Sequence, residues 1–234
     1  QLVHPTLGLL TSVGPQHLET FGSIEKVAAT KNELIECLPE DGQAYFAADG
    51  GWCEVLYAQC RKPKTLAGLK EGAPFRAKDI SVSPSGTSFT LVTPQGEISC
   101  VSPLLGKHNV QNVVLCAAAA QGLGLSLEQI ASGIAKLEPV EHRLQLIHGA
   151  GGVTVIDDAF NANPEGARAA LEVLSGFPGR RVVVTPGLVE LGEEEAERNR
   201  ALGRQIAAAA DIALLVGKEK RVQPLFEGLE EAGF

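Results

Sequence analysis

The chain has 234 residues and is acidic, with 20 Lys and Arg against 28 Asp and Glu and a formal charge of −8. Nucleic-acid binders usually carry a basic stripe, so nucleic acid is not expected as a partner, and the basic groups at 61–64 and 218–221 read as solvated turns. No apolar run approaches membrane-spanning length and no signal peptide is visible, so the expectation is a cytoplasmic protein without membrane insertion. The five cysteines are odd in number and lack zinc-type spacing, which fits reduced thiols. There is no methionine and the first residue is Gln1. Residues 228–234 also break off inside a helical pattern, so a piece of a longer protein is expected.

Residues 7–13 read as a buried strand that ends at the turn signal Gly14-Pro15. Residues 23–38 read as a helix whose first turn is bracketed by Ser23 and Lys26, with Ile24, Val27, Ala28, Leu34, Ile35 and Leu38 near helical spacing. A short strand is expected at 44–48. From 76 to 103 the period becomes two. Phe89 and Leu91, then Ile98 and Cys100, alternate with polar residues, and Pro84-Ser85-Gly86 and Pro94-Gln95-Gly96 supply turns, which predicts a small antiparallel β region. Helices follow at 109–122 and 126–137, the second opening on the capping-box spacing Ser126-Leu127-Glu128-Gln129.

Glu138-Pro139-Val140-Glu141 interrupts this pattern and places a domain boundary between 1–139 and 140–234. Beyond it the chain alternates: strand 153–157, helix 164–174, strand 181–186, helix 195–209, strand 212–216. Short connections of this kind predict right-handed crossovers and a parallel, Rossmann-like sheet. The fold class is α/β throughout. No G-x-G-x-x-G turn occurs, so an ordinary dinucleotide site is not expected, and no G-x-x-x-x-G-K-[ST] loop occurs to cradle β- and γ-phosphates.

The densest chemistry is Asp157-Asp158-Ala159-Phe160-Asn161-Ala162-Asn163-Pro164. It follows the β-branched run Val153-Thr154-Val155-Ile156 and opens a helix, with Asn163 as a capping side chain and Pro164 at the first helical position. Acids and amides therefore crowd the carboxyl end of a strand, where open α/β sheets bind ligands. Two further loops, 185–190 and 217–218, end the next two strands. The acid run 190–197 is read mainly as helix-start electrostatics, with Glu190 of more interest than the rest. Asn109 and Asn112, three apart, share a helix face and could meet the donor and acceptor edge of a purine, or Asn109 could simply cap the helix. Arg143 in Glu141-His142-Arg143 could clamp a phosphate or carboxylate or form an interdomain salt bridge. Asp158 could bind a ribose hydroxyl pair or accept from backbone amides. His17 follows the first strand and is structural or a ligand. Lys31 lies beside apolar neighbours and either snorkels to water or is modified or phosphate-bound.

In this order the motifs resemble the Mur ligases, ATP-dependent amide-forming enzymes of peptidoglycan synthesis. The anchors are residues 11–22 (TSVGPQHLETFG), Ala29-Thr30-Lys31-Asn32-Glu33-Leu34, residues 105–112 (LGKHNVQN), Glu141-His142-Arg143 and 157–164. The last, with residues 185–192 (TPGLVELG), is most similar to the family's D-alanyl-D-alanine-adding branch, which implies D-Ala-D-Ala and UDP-N-acetylmuramoyl-tripeptide as substrates. The implied fold is the later part of a central ATPase domain, a mixed sheet with helices and a small antiparallel β region, followed by a truncated Rossmann-like ligase domain. The implied cofactors are ATP and Mg2+, and a monomer is expected.

The resemblance also implies roles. Lys31 would be carbamoylated, becoming an anionic oxygen ligand for magnesium. Carbamoylation needs the neutral amine, about a thousandth of an unperturbed lysine near neutral pH, a fraction that burial raises. Lys31 and His17 would be catalytic and metal-binding, Asn109, Asn112, Arg143 and Asp158 nucleotide-binding, and Asn161 and Asn163 substrate-binding. The reaction implied is activation of a carboxylate as an acyl phosphate followed by amine attack. The missing phosphate loop implies that these residues alone are inactive. Ser12 stands where the family often has asparagine and Phe160 where tyrosine is common, the latter removing a hydroxyl contact. Two other readings stand beside this one: a non-catalytic module that binds a nucleotide or a protein, and a relative of folylpolyglutamate synthase. The clipped ends speak against the first and the wording at 157–164 against the second.

Overall fold

The computed structural model describes all residues except 1–3, 15–17, 49 and 161. The chain divides into two compact units, one of residues 1–16, 21–81 and 86–137, the other of 17–20, 82–85 and 138–234.

The first unit is built on one six-stranded sheet in the order β1-β2-β3-β4-β5-β6. Strands β1 (Leu7–Leu10), β2 (Gln43–Ala48), β3 (Lys64–Gly68) and β4 (Phe75–Ser83) are joined by successive parallel pairings. Strands β5 (Gly86–Thr93) and β6 (Gly96–Ser102) form an antiparallel hairpin. The hydroxyl of Thr93 fixes that turn, accepting from the Gln95 amide at 3.2 Å and donating to the Gly96 carbonyl at 3.2 Å. The expected antiparallel region is thus one end of a mixed sheet.

Helices cover both faces. The short α1 (Leu18–Phe21) has Leu18–Thr20 in the second unit and only Phe21 in the first; α2 (Ile24–Glu36) begins at Ser23, whose hydroxyl accepts from Lys26 N at 3.4 Å. With α3 (Trp52–Gln59) it packs one face through Val27, Ala28, Ile35, Cys53 and Leu56. The other face is covered by α4 (Lys107–Gly122), through Val110, Val113, Val114 and Ala117, and by α5 (Leu127–Ile134). Strand β2 is buried between the two layers, with Tyr45 in one cluster and Ala44, Phe46 and Ala47 in the other. A side chain as fully buried as Phe46 contributes about 1.5–3 kcal/mol. The capping box of α5 forms as expected between Ser126 and Gln129. Helix α3 and strand β3 have no counterpart among the sequence expectations, and the first strand ends at Leu10 rather than Val13.

In the second unit, β7 (Gln145–His148) pairs antiparallel with β8 (Thr154–Asp157). Strands β9 (Val182–Thr185) and β10 (Ile212–Leu215) pair in parallel. The alternation with α6 (Pro164–Ser175), α7 (Glu195–Ala209) and α8 (Glu219–Glu231) is as expected, but the three-stranded parallel ladder is not. Among the described residues, β8 takes β7 as its ladder partner. The core lies between the inward face of β9–β10 and the helices, around Leu171, Leu202, Ile206 and Leu225. The contact of α7 with α8 depends on two glycines. A Cβ on Gly203 would sit 2.2 Å from the Leu225 carbonyl oxygen, and one on Gly228 would sit 2.0 Å from that of Arg200. Helix α8 closes at Glu231, with Gly233 at φ 76 and the Phe234 amide donating to the Leu229 carbonyl at 3.1 Å.

Candidate functional site

The acid-rich loop after β8 is bound, residue by residue, to the strap that enters β7. His142 Nδ1 lies 2.7 Å from Asp157 Oδ2. A carboxylate only accepts, so the ring carries its proton on Nδ1. The His142 carbonyl accepts from the Phe160 amide at 3.3 Å, and the His142 amide donates to Gln145 Oε1 at 3.3 Å. Two residues on, the Leu144 amide donates to Asp158 Oδ1 at 3.1 Å. Between them Arg143 lays its guanidinium over the Phe160 ring, 4.4 Å from the centroid.

The strap holds a sharp shape. His142 has φ 59 and Leu144 φ 48, both in the left-handed region, which costs an ordinary residue about 1–2 kcal/mol. Leu144 is buried, and the bonds to Asp157, Asp158 and Phe160 hold the rest. As a result an exposed arginine, a half-buried carboxylate and an exposed aromatic face are presented side by side.

Electrostatics separate the two adjacent acids. Burial pushes the Asp158 carboxyl above its ordinary value, offset in part by the Leu144 amide and by Arg143. Asp157 is held below the usual carboxylate range, first by the hydrogen bond from His142 and then by the Ala159 amide. The same bond to Asp157, with its negative charge, raises His142.

Asn163 caps α6 as the sequence indicated: its Oδ1 accepts from the Gly166 amide at 2.9 Å, with Pro164 in the first turn. Asn161, its expected companion, lies outside the described residues, and so does His17. In the first unit, Lys31 sits on α2, half-buried, and its Nζ donates to the Ser12 carbonyl at 2.9 Å. Asn109 is the third residue of α4, whose cap is Gly106 at φ 90, so the alternative reading of Asn109 as the helix cap does not hold. Its Nδ2 donates instead to the Leu105 carbonyl at 2.8 Å, leaving its oxygen as an acceptor. Asn112 is exposed one turn further along the same helix. The structure brings Arg143 and Asp158 together, and Asn109 with Asn112, each pair within its own unit.

The residue missed in the sequence is Asn199. It is fully buried on α7, where its Oδ1 accepts from the Leu188 amide at 2.8 Å. Its Nδ2 donates to the Leu188 carbonyl at 3.1 Å and to the Glu195 carbonyl at 2.9 Å. Asn199 thereby pins the loop after β9. That loop turns at Gly187, φ 83, where a Cβ would lie 2.6 Å from Asn199 Oδ1, and continues to Glu190 at φ 61. An asparagine inside an acid-rich helix start offered no periodic signal.

A guanidinium beside a carboxylate fits the phosphate and hydroxyl groups of a nucleotide. Magnesium is a different case. Among the described residues no group of three or more His, Cys, Asp and Glu side chains is placed to hold a metal ion.

Residues 1–120 match the Mur ligase middle domain and residues 142–233 the Mur ligase glutamate ligase domain. The UDP-N-acetylmuramoyl-tripeptide--D-alanyl-D-alanine ligase of Escherichia coli is 35% identical over 98% of this chain and 52% of its own length. A crystal structure of MurF from Acinetobacter baumannii superimposes with a TM-score of 0.87 at 30% identity, covering 97% of this chain and 49% of that one. MurF from Thermotoga maritima, solved in complex with ADP, shares the fold at a TM-score of 0.79 and 21% identity, covering 97% of this chain and 62% of that one. The chain spans about half the length of the curated relatives it matches.

Proposed function

The chain belongs to the Mur ligase family, and from that membership we propose that it serves an ATP-dependent ligase joining D-Ala-D-Ala to a UDP-N-acetylmuramoyl-tripeptide in the cytoplasm. The observation that carries this reading is the identity with the E. coli relative, which runs nearly end to end along the chain. The reaction would proceed in two displacements. A peptide carboxylate oxygen attacks the γ-phosphorus of ATP and ADP leaves; the D-Ala-D-Ala amine then attacks the acyl phosphate carbonyl and inorganic phosphate leaves.

In this proposal residues 1–139 are the later part of the ATP-binding domain and 140–234 the ligase domain. Arg143 would pair with phosphate oxygens and Asp158 with the ribose, while Asn109 and Asn112 would meet the adenine edge. Asn163 and Asn161 would face the muramoyl peptide. Lys31, once carbamoylated, and His17 would supply ligands to magnesium, whose charge would neutralise the phosphoryl oxygens. The stack of Arg143 on Phe160 supports the nucleotide role. It uses a ring face, which phenylalanine offers as well as tyrosine, so this departure from the family pattern leaves the arginine supported.

The test is phosphate release by the intact protein with ATP, magnesium and UDP-N-acetylmuramoyl-tripeptide, with and without D-Ala-D-Ala. Release that requires the dipeptide supports the proposal; release that responds instead to folate and glutamate sinks it. The 234 residues alone carry no phosphate loop and should give no phosphate above background.

A further inference from the structure

We propose that His142 and Asp157 form a positioning pair for nucleotide binding, a charged clasp that fixes the strap so that Arg143 and Asp158 face the ligand. The inference rests on the nucleotide role of Arg143 and Asp158 and adds two residues to which neither the family motifs nor the roles above assign a function.

The geometry is specific. Arg143 sits between two left-handed residues, so its direction depends on how both flanks are tied. The Leu144 flank is held by burial and by Asp158. The His142 side chain is 55% exposed and cannot be held by packing; what locates it is Asp157, whose own side chain is 20% exposed. Asp157 is in turn oriented by the Ala159 amide on its other oxygen at 3.1 Å. The clasp therefore links the strap to the turn that also carries Phe160, the platform under Arg143. A pair of this exposure contributes little to global stability, so its value lies in local direction.

The charged groups around the clasp act in one sense on the histidine. Asp157 and Glu141 both favour its protonated form, while Asp158 faces Asp157 and Arg143 faces Asp158. Because His142 is raised, the full ion pair is present below the ordinary histidine value and is lost as pH climbs through the raised one. Because Asp157 is lowered, the acid limit falls below the usual carboxylate range. A neutral ring keeps the hydrogen bond from Nδ1 but not the charge, so nucleotide affinity should decline above neutrality rather than collapse.

The experiment is calorimetric binding of ADP to the intact protein at several pH values, for wild type, His142→Asn, Asp157→Asn and Arg143→Ala. Asparagine is chosen at 142 because it tolerates the left-handed backbone. Histidine titration by NMR, in wild type and Asp157→Asn, gives a readout independent of ADP. The expected result is a weakening of about two- to fivefold in both clasp variants, with the alkaline decline of wild type abolished. The His142 titration should also move down in Asp157→Asn. If Arg143→Ala weakens ADP but both clasp variants follow the wild-type pH profile, the clasp is structural and this inference fails while the nucleotide reading stands. If Arg143→Ala binds ADP like wild type, the nucleotide reading itself falls and takes this inference with it.

Discussion

The Asn199 side chain satisfies both backbone polar groups of Leu188, accepting from its amide at 2.8 Å and donating to its carbonyl at 3.1 Å, and neither residue is reached by solvent to more than 1%. One side-chain amide therefore does for the loop after β9 what a strand neighbour does for a ladder. Asn199→Ala should cost about 3 kcal/mol, because two buried groups lose partners that water cannot replace. Chemical denaturation of the variant measures this. A loss below about 0.5 kcal/mol, the range of surface substitutions, would mean that the loop finds other partners.

The two glycines at the α7–α8 contact, Gly203 and Gly228, should divide sharply from a glycine in α5. Gly203→Ala and Gly228→Ala each drive a methyl into a backbone carbonyl across the α7–α8 contact and should destabilise by about 3 kcal/mol. A methyl on Gly133 of α5 would meet nothing within 4 Å, so Gly133→Ala should gain about 0.5 kcal/mol. Melting temperatures of the three variants should fall, fall and rise.

Asn163 combines a helix cap with a proposed substrate contact, and two substitutions separate them. Asn163→Ala removes the acceptor for the Gly166 amide and should cost about 1 kcal/mol. Asn163→Ser keeps a capping oxygen and should retain most of that stability. Loss of ligase turnover in the serine variant at unchanged melting temperature would assign Asn163 to the substrate; normal turnover would leave it a cap alone.

Asp158 should make the protein's stability depend on pH in a direction opposite to an ion-paired acid. Its folded value is raised by burial, so the stability it contributes is full below the ordinary carboxyl value and is lost as pH rises through the raised one. Asp158→Asn keeps an acceptor for the Leu144 amide and removes the half-buried charge. The variant should gain on wild type as pH goes from about 3 to about 7, while binding nucleotide more weakly. Urea titrations across that window read the difference. A variant that trails wild type at neutral pH would show that attraction to Arg143 outweighs the cost of burial.

The Lys31 amine is held by the Ser12 carbonyl. Incubating the intact protein with 13C-bicarbonate should produce a carbamate resonance that is missing from Lys31→Gln. An identical spectrum for both proteins would place any carbamate on another lysine.

Sequence alone determined whatever depends on neighbours within one turn or strand. Ser23 before α2, Ser126 with Gln129 at α5, and Asn163 with Pro164 at α6 were all legible, because a cap bonds to amides two or three residues away. The motif order likewise identified the family without coordinates. Tertiary structure decided the rest. Strand β3 has no clean alternation and α3 spans only eight residues, so each exists through the layers it lies between rather than through a pattern of its own. The partner of β8 turned out to be β7 in antiparallel register, a choice that periodicity cannot encode. The same holds at the site. His142 reaches Asp157 across 15 positions and Asn199 reaches Leu188 across 11, and such contacts arise only when folding brings distant stretches of the chain together; at Asn199 burial adds that water cannot replace the partners.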